Sequence, residues 1–240
     1  VEYYEGEAYF ARALAYSELA KLWCGNYEGR EEAMKEPGLI ISTTYHEENA
    51  AKRSSLAESY DFIISDLEEA EKRLKPEDLS KDNNVYYDSQ YFSIYTVWAL
   101  RARLALYMND WENAVKYSGK VIDSGKFLLS ACNEMYDADY IWYDYMWQYD
   151  HGTEVIWKVG FEINSYGGSL GRIFFNFDYS SFKPDYVPAA WVRNLYDQAD
   201  LRFSSFFESV QTGYSHGLVW PLVVKYFGNV EFLTSSILQV

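Results

Sequence analysis

Residues 91–126 read YFSIYTVWALRARLALYMNDWENAVKYSGKVIDSGK, and this stretch predicts two helices that fold back on each other. In its first half, apolar residues recur at three- and four-residue spacing almost all round the helix, which is typical of a buried helix. In its second half, apolar residues lie on one face and charged residues on the other, so the charged face of that helix is expected to be exposed to solvent. The predicted buried face of the second helix comprises Trp111, Ala114, Val115, Ser118, Val121 and Ile122.

Only Asn109-Asp110 separates the two helices, and these residues tolerate turn geometry and cap a following helix. The sequence therefore predicts an antiparallel helical hairpin. Aligning Ala114 with the small residue in the second helix of a tetratricopeptide repeat puts Trp98 and Ala102 on characteristic positions of that repeat. Arg101 departs from the pattern, which usually has a leucine there.

The composition limits the classes of partner. A hydrophobic content of 49% over 240 residues is enough for a substantial core. The net charge is −15 and the chain has no Lys/Arg cluster, so nucleic acid and anionic membranes are poor partners. No run reaches the ~18–20 apolar residues of a membrane span. Aromatic residues make up 19% of the chain, which indicates bulky packing or a recognition surface.

Possible metal ligands are scattered along the sequence. Cys24 and Cys132 lie far apart without metal-ligand spacing, so free thiols and a single disulfide both remain open. His46, His151 and His216 are also well separated. The sequence therefore predicts neither a metal site nor a cofactor.

The first half of the chain is predicted to be mainly helical, with helices near residues 5–24, 49–75, 90–109 and 111–124. Between the first two helices, residues 26–48 are polar and are expected to form a long surface loop. The expected buried face of the first helix comprises Ala8, Ala11, Ala15, Leu19 and Leu22.

The second half is predicted to be mainly irregular, with short strands. Residues 154–161 favour a strand, and residues 164–171 form a Gly-rich loop without the lysine of a phosphate-binding loop. Trp191 is expected to pack in the interior. Pro221 lies in an apolar run, where a proline indicates an edge strand or a break.

Three helical segments resemble successive blocks of the SusD/RagB family of outer-membrane glycan-binding lipoproteins: EAYFARALAYSELAKLW, SLAESYDFIISDLEEAEKRL and ALRARLALYMNDWENAVKYSGKVIDSGKF. TEVIWKVGFE resembles the strand that follows the family's second helical hairpin. PAAWVRNLYDQADLRFSSFF resembles a later helix followed by an Asp-x-Arg turn, here Asp200 and Arg202. The resemblance spans residues 5–227.

This resemblance implies a mainly α fold of the SusD type. Residues 1–127 would form tetratricopeptide-like helical hairpins, and residues 128–240 an irregular, partly β, ligand-facing portion of the same domain, incomplete at its C-terminus. The implied function is non-catalytic binding of an oligosaccharide or polysaccharide at the cell surface, on the outer membrane. The implied partner is a SusC-like TonB-dependent transporter for nutrient uptake, and contact with the membrane is expected only through a lipid anchor outside this chain.

The segment YDADYIWYDYMWQYD, residues 136–150, is the predicted ligand site. Sugars present apolar C–H faces and hydroxyl edges, so rings beside carboxylates suit a carbohydrate. At helical spacing Tyr143 and Trp147 share one side, and we expect that side to be exposed, although core packing of most rings is the alternative. The predicted ligand-binding residues are Trp147, Tyr143, Asp144, Trp142, Tyr149 and Asp150, with Trp23 and Asn26 after the first helix as a second group.

Two other functions fit the sequence. A tetratricopeptide-type scaffold would bind another protein through a concave face. A glycoside hydrolase would need two carboxyl groups at a set separation, one with a raised pKa, and the candidates are Asp137, Asp139, Asp144 and Asp150. Sequence shows no such pair, so no catalytic residue is predicted.

Overall fold

The computed structural model describes residues 1–44, 52–76, 91–149, 152–159, 181–214 and 217–225. The chain divides into two compact units, the helical unit Val1–Phe127 and the aromatic unit Leu128–Gln239. Helices make up most of the regular secondary structure in the described residues, so the predicted mainly α fold is confirmed.

The helical unit is built from four long helices. These are α1 (Glu2–Trp23), α3 (Leu56–Arg73), α4 (Ile94–Tyr107) and α5 (Trp111–Asp123), and a short α2 (Arg30–Ala33) follows α1. Helix α1 packs mainly against α3, and α4 packs mainly against α5, while α3 also touches α4. The four predicted helices therefore form, and the hairpin of residues 91–126 is confirmed.

Side-chain caps fix where these helices begin. The Ser55 hydroxyl accepts from the N–H of Glu58, and the Glu58 carboxylate accepts from the N–H of Ser55 at 2.8 Å. Asp110 accepts from the N–H of Asn113 at 3.1 Å and so caps α5. Asn109 lies in the left-handed region at φ 58°, which asparagine tolerates better than most residues, and it closes the predicted turn.

The buried face of α1 is not the predicted one. The predicted residues Ala8, Ala11, Ala15, Leu19 and Leu22 are all exposed, and the buried residues are instead Gly6, Phe10, Ala13, Leu14, Ser17 and Ala20. Small and apolar residues occur on both sides of this helix, so periodicity alone does not select a side. Packing selects it, because Gly6 allows close approach of Leu74, and Phe10 packs on Phe92 with ring centroids 4.6 Å apart.

The buried face of α5 also differs from the prediction. Ala114 and Val121 are buried as expected, but Tyr117 joins them, and Trp111, Val115 and Ile122 are 62%, 73% and 70% exposed. The Tyr117 ring lies under the guanidinium carbon of Arg101, 4.3 Å from the ring centroid. A ring that contacts a cation can be buried beside charged residues. The spacing of apolar residues along the helix does not reveal this kind of burial.

The predicted surface loop of residues 26–48 is attached to the helices along its described part, which ends at residue 44. It contains α2, and its Tyr27 and Leu39 side chains are each 7% exposed. The Gly38 N–H donates to the Ser54 carbonyl at 2.7 Å, and the Ser54 N–H donates to the Leu39 carbonyl at 2.8 Å. These contacts join residues that are distant in sequence. The local polarity of the segment therefore predicted a loop, but it could not predict that the loop is attached to the helices.

The aromatic unit combines short helices with a two-stranded sheet in its described residues. The helices are α6 (Trp142–Tyr149), α7 (Ala190–Arg193) and α8 (Leu201–Phe206), and β1 (Phe207–Gln211) pairs antiparallel with β2 (Val219–Val223). Pro221 lies opposite Ser209 in this sheet of two strands, where each strand has an open edge. The prediction of an edge strand at Pro221 is therefore confirmed.

Two predictions for the aromatic unit are wrong. No strand is assigned to residues 154–159, the described part of the predicted strand, and the burial of Val155 and Trp157 accounts for their alternation. Trp191 is 68% exposed rather than packed, because α7 is only four residues long and buries none of them. The Gly-rich loop, residues 164–171, lies outside the described residues.

Candidate functional site

The irregular chain before α6 turns back towards that helix. The Asp137 carboxylate accepts from the N–H groups of Asp139 and Tyr140 at 2.8 and 2.9 Å, and this fixes a tight turn. The Tyr136 N–H then donates to the Tyr140 carbonyl at 2.7 Å. The turn therefore positions Tyr136, the first ring of the predicted segment, beside the helix that carries the others.

One side of α6 is covered by Tyr136. Its ring stacks on Tyr145 with centroids 3.7 Å apart and meets Trp142 edge-on at 4.8 Å. Tyr136 is 40% exposed, so solvent reaches the outer ring of this trio. Trp142, a predicted ligand residue, is half-buried beneath it.

The other side of α6 packs against α8 and the chain that follows β2. Tyr143 and Trp147 contact each other with centroids 6.2 Å apart, and both contact Phe206, at 6.3 and 5.6 Å. Nζ of Lys225 lies 3.7 Å from the centroid of the Trp147 ring. Tyr143 and Trp147 are thus half-buried, and their role as the exposed ligand surface stays a prediction.

Burial also changes the titration of two groups on this side. It raises the pKa of the Tyr143 phenol, and a hydrogen bond with Trp147 acts in the opposite direction. Burial lowers the pKa of Lys225, because a low-dielectric surrounding disfavours the charged ammonium. The π faces of Trp147 and Phe206, at 3.7 and 4.7 Å from Nζ, partly compensate this charge.

The remaining residues of α6 lie between these aromatic sides. Met146 is 3% exposed and anchors the helix, while Oδ1 of Asp144 is buried and has no hydrogen-bond partner among the described residues. A donor placed against that oxygen would be favourable, since an unsatisfied buried acceptor is costly. Asp150 lies outside the described residues, and for Tyr149 only the backbone at the end of α6 is described.

The second predicted group is divided between two clefts of the helical unit. Trp23 is 69% exposed beside a cleft of about 340 Å³ that Leu39, Ile40 and Arg53 also line. Asn26 lines a different cleft, of about 460 Å³. The structure therefore does not bring Trp23 and Asn26 together in one site.

Sequence reasoning missed Phe206 and Lys225, the partners of the Tyr143 and Trp147 rings. Lys225 did carry a signal, because a lone lysine in the apolar run LVWPLVVKYF is expected to need a partner such as an aromatic face. The reasoning also missed the most exposed rings of the described aromatic unit, Trp191 and Tyr186, which are 68% and 66% exposed.

Ion and disulfide sites were also sought in the described residues. No group of His, Cys, Asp and Glu suited to a metal ion occurs among them. Cys24 and Cys132 are free thiols, which decides between the two alternatives left open by the sequence. None of the described helices is long and apolar enough to cross a membrane.

Comparisons with known proteins agree on one family. Residues 1–106 match the model of the SusD-like family that is described as starch-binding and associating with the outer membrane. A curated SusD-like protein, P38 of Formosa agariphila, is 27% identical over 205 residues, which cover 83% of this chain and 36% of that protein.

Solved structures share the fold over nearly all of the chain. A SusD-like carbohydrate binding protein from Bacteroides vulgatus matches with a TM-score of 0.68 and 20% identity, over 94% of this chain and 45% of that one. A SusD superfamily protein from Bacteroides thetaiotaomicron matches with a TM-score of 0.69 and 18% identity, over 94% and 48%. Surface glycan-binding protein A from Bacteroides uniformis has a TM-score of 0.66 and 16% identity, over 94% and 47%.

The chain spans between 36% and 48% of the length of these four relatives. The family match covers the helical unit as far as residue 106, and the shared fold extends into the aromatic unit. Together with the residue patterns of the helical hairpins, these findings make the chain similar to the SusD-like family in sequence over residues 1–106, and similar to SusD superfamily structures in fold.

Proposed function

We propose that this protein binds an oligosaccharide or polysaccharide at the cell surface without cleaving it, and passes it to a SusC-like TonB-dependent transporter. A lipid anchor in the full-length protein would hold it to the outer membrane. The family description, starch binding in association with the outer membrane, supports the ligand class and the location.

The observation that carries the proposal is the concentration of rings around a carboxylate on α6. Two aromatic groups lie on this helix, one with Tyr136 outermost and one with Lys225 over Trp147. Rings supply stacking surface for the C–H face of a pyranose, and Asp144 supplies a hydrogen-bond acceptor for its hydroxyl groups. Removal of one stacking ring is therefore expected to weaken glycan binding strongly.

The binding test begins with a glycan array and continues by calorimetry on a glycan that binds. Trp147→Ala is expected to cost about 1–3 kcal/mol of binding free energy, which corresponds to about a 5- to 150-fold increase in Kd. Because Trp147 also packs on Phe206, this variant will lose stability, so Trp147→Phe serves as a variant that keeps a ring there. Trp191→Ala is the matched control, an exposed ring away from α6. Equal affinity of Trp147→Ala and wild type would remove α6 from the site.

Substitution of Lys225 tests which face of the Trp147 ring contacts the sugar. Its ammonium occupies one face of Trp147, so a sugar that stacks on that face must displace it. Lys225→Met keeps an apolar stem and removes the charge, and it is then expected to bind the same glycan at least as tightly as wild type. A large loss of affinity would mean that the lysine itself contacts the ligand.

The carboxylates of the segment support binding rather than hydrolysis. Asp137 is committed to the turn before α6, where it accepts two backbone N–H groups. A glycosidase needs one carboxyl as acid and a second as base or nucleophile. We therefore expect no release of reducing sugar from a panel of polysaccharides. Turnover that Asp144→Asn abolishes would contradict this expectation.

The transporter step has its own test. The full-length reading frame is expected to begin with a signal peptide ending in a lipidated cysteine, and to neighbour a gene for a TonB-dependent transporter. Co-purification of the two proteins from outer membranes would support the transfer of ligand. A soluble protein without that neighbour would favour another role.

The second candidate function is a tetratricopeptide-type scaffold that binds protein. It is favoured by the outer stripe of α5, which we define as Trp111, Val115, Gly119 and Ile122. Three of these side chains are more than 60% exposed, and such a contiguous apolar face is typical of an interaction surface. Val115→Glu is expected to abolish a protein complex formed through this stripe while leaving glycan affinity unchanged.

A further inference from the structure

A cleft of the helical unit lies where α1, α3 and α4 come together. It has a volume of about 460 Å³, within the range of small-molecule sites, and opens to solvent. We call it the tyrosine cleft, and define it by Cys24, Asn26, Tyr27, Tyr60, Tyr107 and Asn109, which line it. None of the comparisons or predictions above assigns a role to its three tyrosines.

The floor of the tyrosine cleft is rigid. Tyr27 and Tyr60 are 7% and 5% exposed, and their rings meet edge-on with centroids 5.1 Å apart. The Asn109 side-chain amide donates to the carbonyl of Tyr27 at 3.0 Å, and so ties the turn after α4 to the loop after α1. A site whose walls are packed and hydrogen-bonded loses little entropy when a ligand binds.

Tyr60 brings a phenol hydroxyl to the lining of this cleft. Burial raises the pKa of Tyr60 to about 12, and neighbouring Cys24, Tyr107 and Tyr27 contribute to the increase. The phenol is therefore neutral at pH 7 and is able both to donate and to accept a hydrogen bond. The Tyr60 side chain lines the cleft and is only 5% exposed, so packing holds its ring in place.

The upper wall supplies an aromatic face. Tyr107 is 48% exposed, and Nζ of Lys21 lies 6.0 Å from its ring centroid. Lys21 is already paired with Glu18, and Glu28 at the rim adds an opposite charge. The cleft thus offers a ring, a hydroxyl and a carboxamide, and the three charges named here sum to −1, a combination that favours a neutral polyhydroxylated ligand over an anion.

We propose that the tyrosine cleft binds a single sugar ring, with Tyr107 against its C–H face and the Tyr60 hydroxyl bonded to one of its hydroxyl groups. This would be a second glycan site, separate from the rings of α6, and it rests on the proposed glycan-binding function. Asn26, at the rim, contacts the same sugar in this arrangement.

The chain contains its own reporter for the test. Cys24 lines the cleft and Cys132 lies in the aromatic unit, and both are free thiols. The alkylation rate of each thiol by iodoacetamide can be followed by mass spectrometry, with glucose, galactose, mannose or maltoheptaose as probes and glycerol as the control. At least one sugar is expected to slow alkylation of Cys24 severalfold, while the rate at Cys132 stays unchanged.

Variants separate the cleft from the rest of the protein. Tyr60→Phe removes only the hydroxyl and keeps the packed ring, so it should abolish protection of Cys24 with little change in Tm. Tyr107→Ala should also abolish protection, whereas Trp147→Ala should not affect it. Unchanged alkylation of Cys24 with every sugar, or full protection in Tyr60→Phe, would overturn the proposal.

These outcomes are distinguishable from failure of the proposed function. A glycan that binds by calorimetry and depends on Trp147, but does not protect Cys24, overturns only the tyrosine cleft. A protein that binds no member of a glycan array and shows no protection of Cys24 overturns both.

Discussion

The helical unit and the aromatic unit bury their side chains in different ways. In the helical unit, long helices with side-chain caps bury aliphatic residues such as Leu56, Ile63 and Leu67 completely. In the described part of the aromatic unit, short helices and a two-stranded sheet are joined by ring contacts between distant segments, such as Trp147 with Phe206. Regular elements therefore bury side chains completely in the helical unit, whereas the rings on short elements of the aromatic unit are only half-buried.

The largest expected change in unfolding free energy comes from a loss of core packing in the helical unit. Leu67 is fully buried in α3, so Leu67→Ala is expected to cost about 3–4 kcal/mol of unfolding free energy, measured by urea denaturation. Leu222, which is 1% exposed in β2, is the matched position in the aromatic unit. Its described cluster contains one other buried residue, Val224, so Leu222→Ala is expected to cost only about 2 kcal/mol. Equal losses would show that the two units are packed equally well.

A smaller effect is expected at a charged cluster that links three helices of the helical unit. The Glu71 carboxylate accepts from Trp98 Nε1 at 2.8 Å, Arg101 Nη1 at 2.9 Å and Lys120 Nζ at 2.6 Å. Glu71→Gln is expected to lose about 1–3 kcal/mol at pH 7, since these bonds involve charged groups. Glu68→Gln is the matched control, because Glu68 is 53% exposed and lies 3.4 Å from Arg101.

The stability lost in Glu71→Gln is expected to change with pH in a defined direction. Burial alone would raise the Glu71 pKa, but the hydrogen bonds from Lys120 and Trp98, together with the charges of Lys120 and Arg101, bring it below the ordinary 4.5. The folded state therefore holds the proton more weakly than the unfolded state. The stability from this carboxylate is present above about pH 4.5 and is lost as the pH falls through the lower folded pKa. The difference between wild type and Glu71→Gln should shrink on acidification, and a constant difference would exclude this account.

The smallest expected effect is an increase in stability. A Cβ at Gly119 would contact nothing within 4 Å, so Gly119→Ala should stabilise α5 by about 0.5–1 kcal/mol through helix propensity alone. Gly6 in α1 is the control, because a Cβ there would lie 3.0 Å from Cβ of Arg73 and Cγ of Leu74. Thermal denaturation should therefore show a higher Tm for Gly119→Ala and a lower one for Gly6→Ala. A lower Tm for both would mean that α5 has a neighbour against the outer stripe.

Sequence predicted the helices of this chain better than their buried faces. In α3 the polar and apolar residues are cleanly separated, and apolar residues such as Leu56, Ile63 and Leu67 form its buried face. The face of α1 was wrong because both sides are apolar, so the choice depended on Phe92, which is distant in sequence. In α5 a tyrosine under Arg101 replaced the expected tryptophan.

The candidate site was less predictable than the scaffold. Composition located the aromatic segment and helical spacing placed Tyr143 beside Trp147. What sequence did not contain was the exposure of each ring, because this depends on Phe206 and Lys225, which reach α6 from a later part of the chain. Trp191 illustrates the same limit, since its neighbours are apolar in sequence yet its side chain is 68% exposed.

Arg53 holds together the two ends of the segment between α1 and α3, which leaves the length of that segment less constrained than the length of the helices. Its guanidinium binds the carbonyls of Trp23, Pro37 and Gly38 at 3.1, 3.1 and 2.6 Å, and so keeps together two points that are 30 residues apart. With the ends held, doubling the length of the intervening chain adds only about 0.6 kcal/mol of closure entropy. Extra residues inserted into this segment would therefore cost little closure entropy, provided that Tyr27 and Leu39 keep their buried positions.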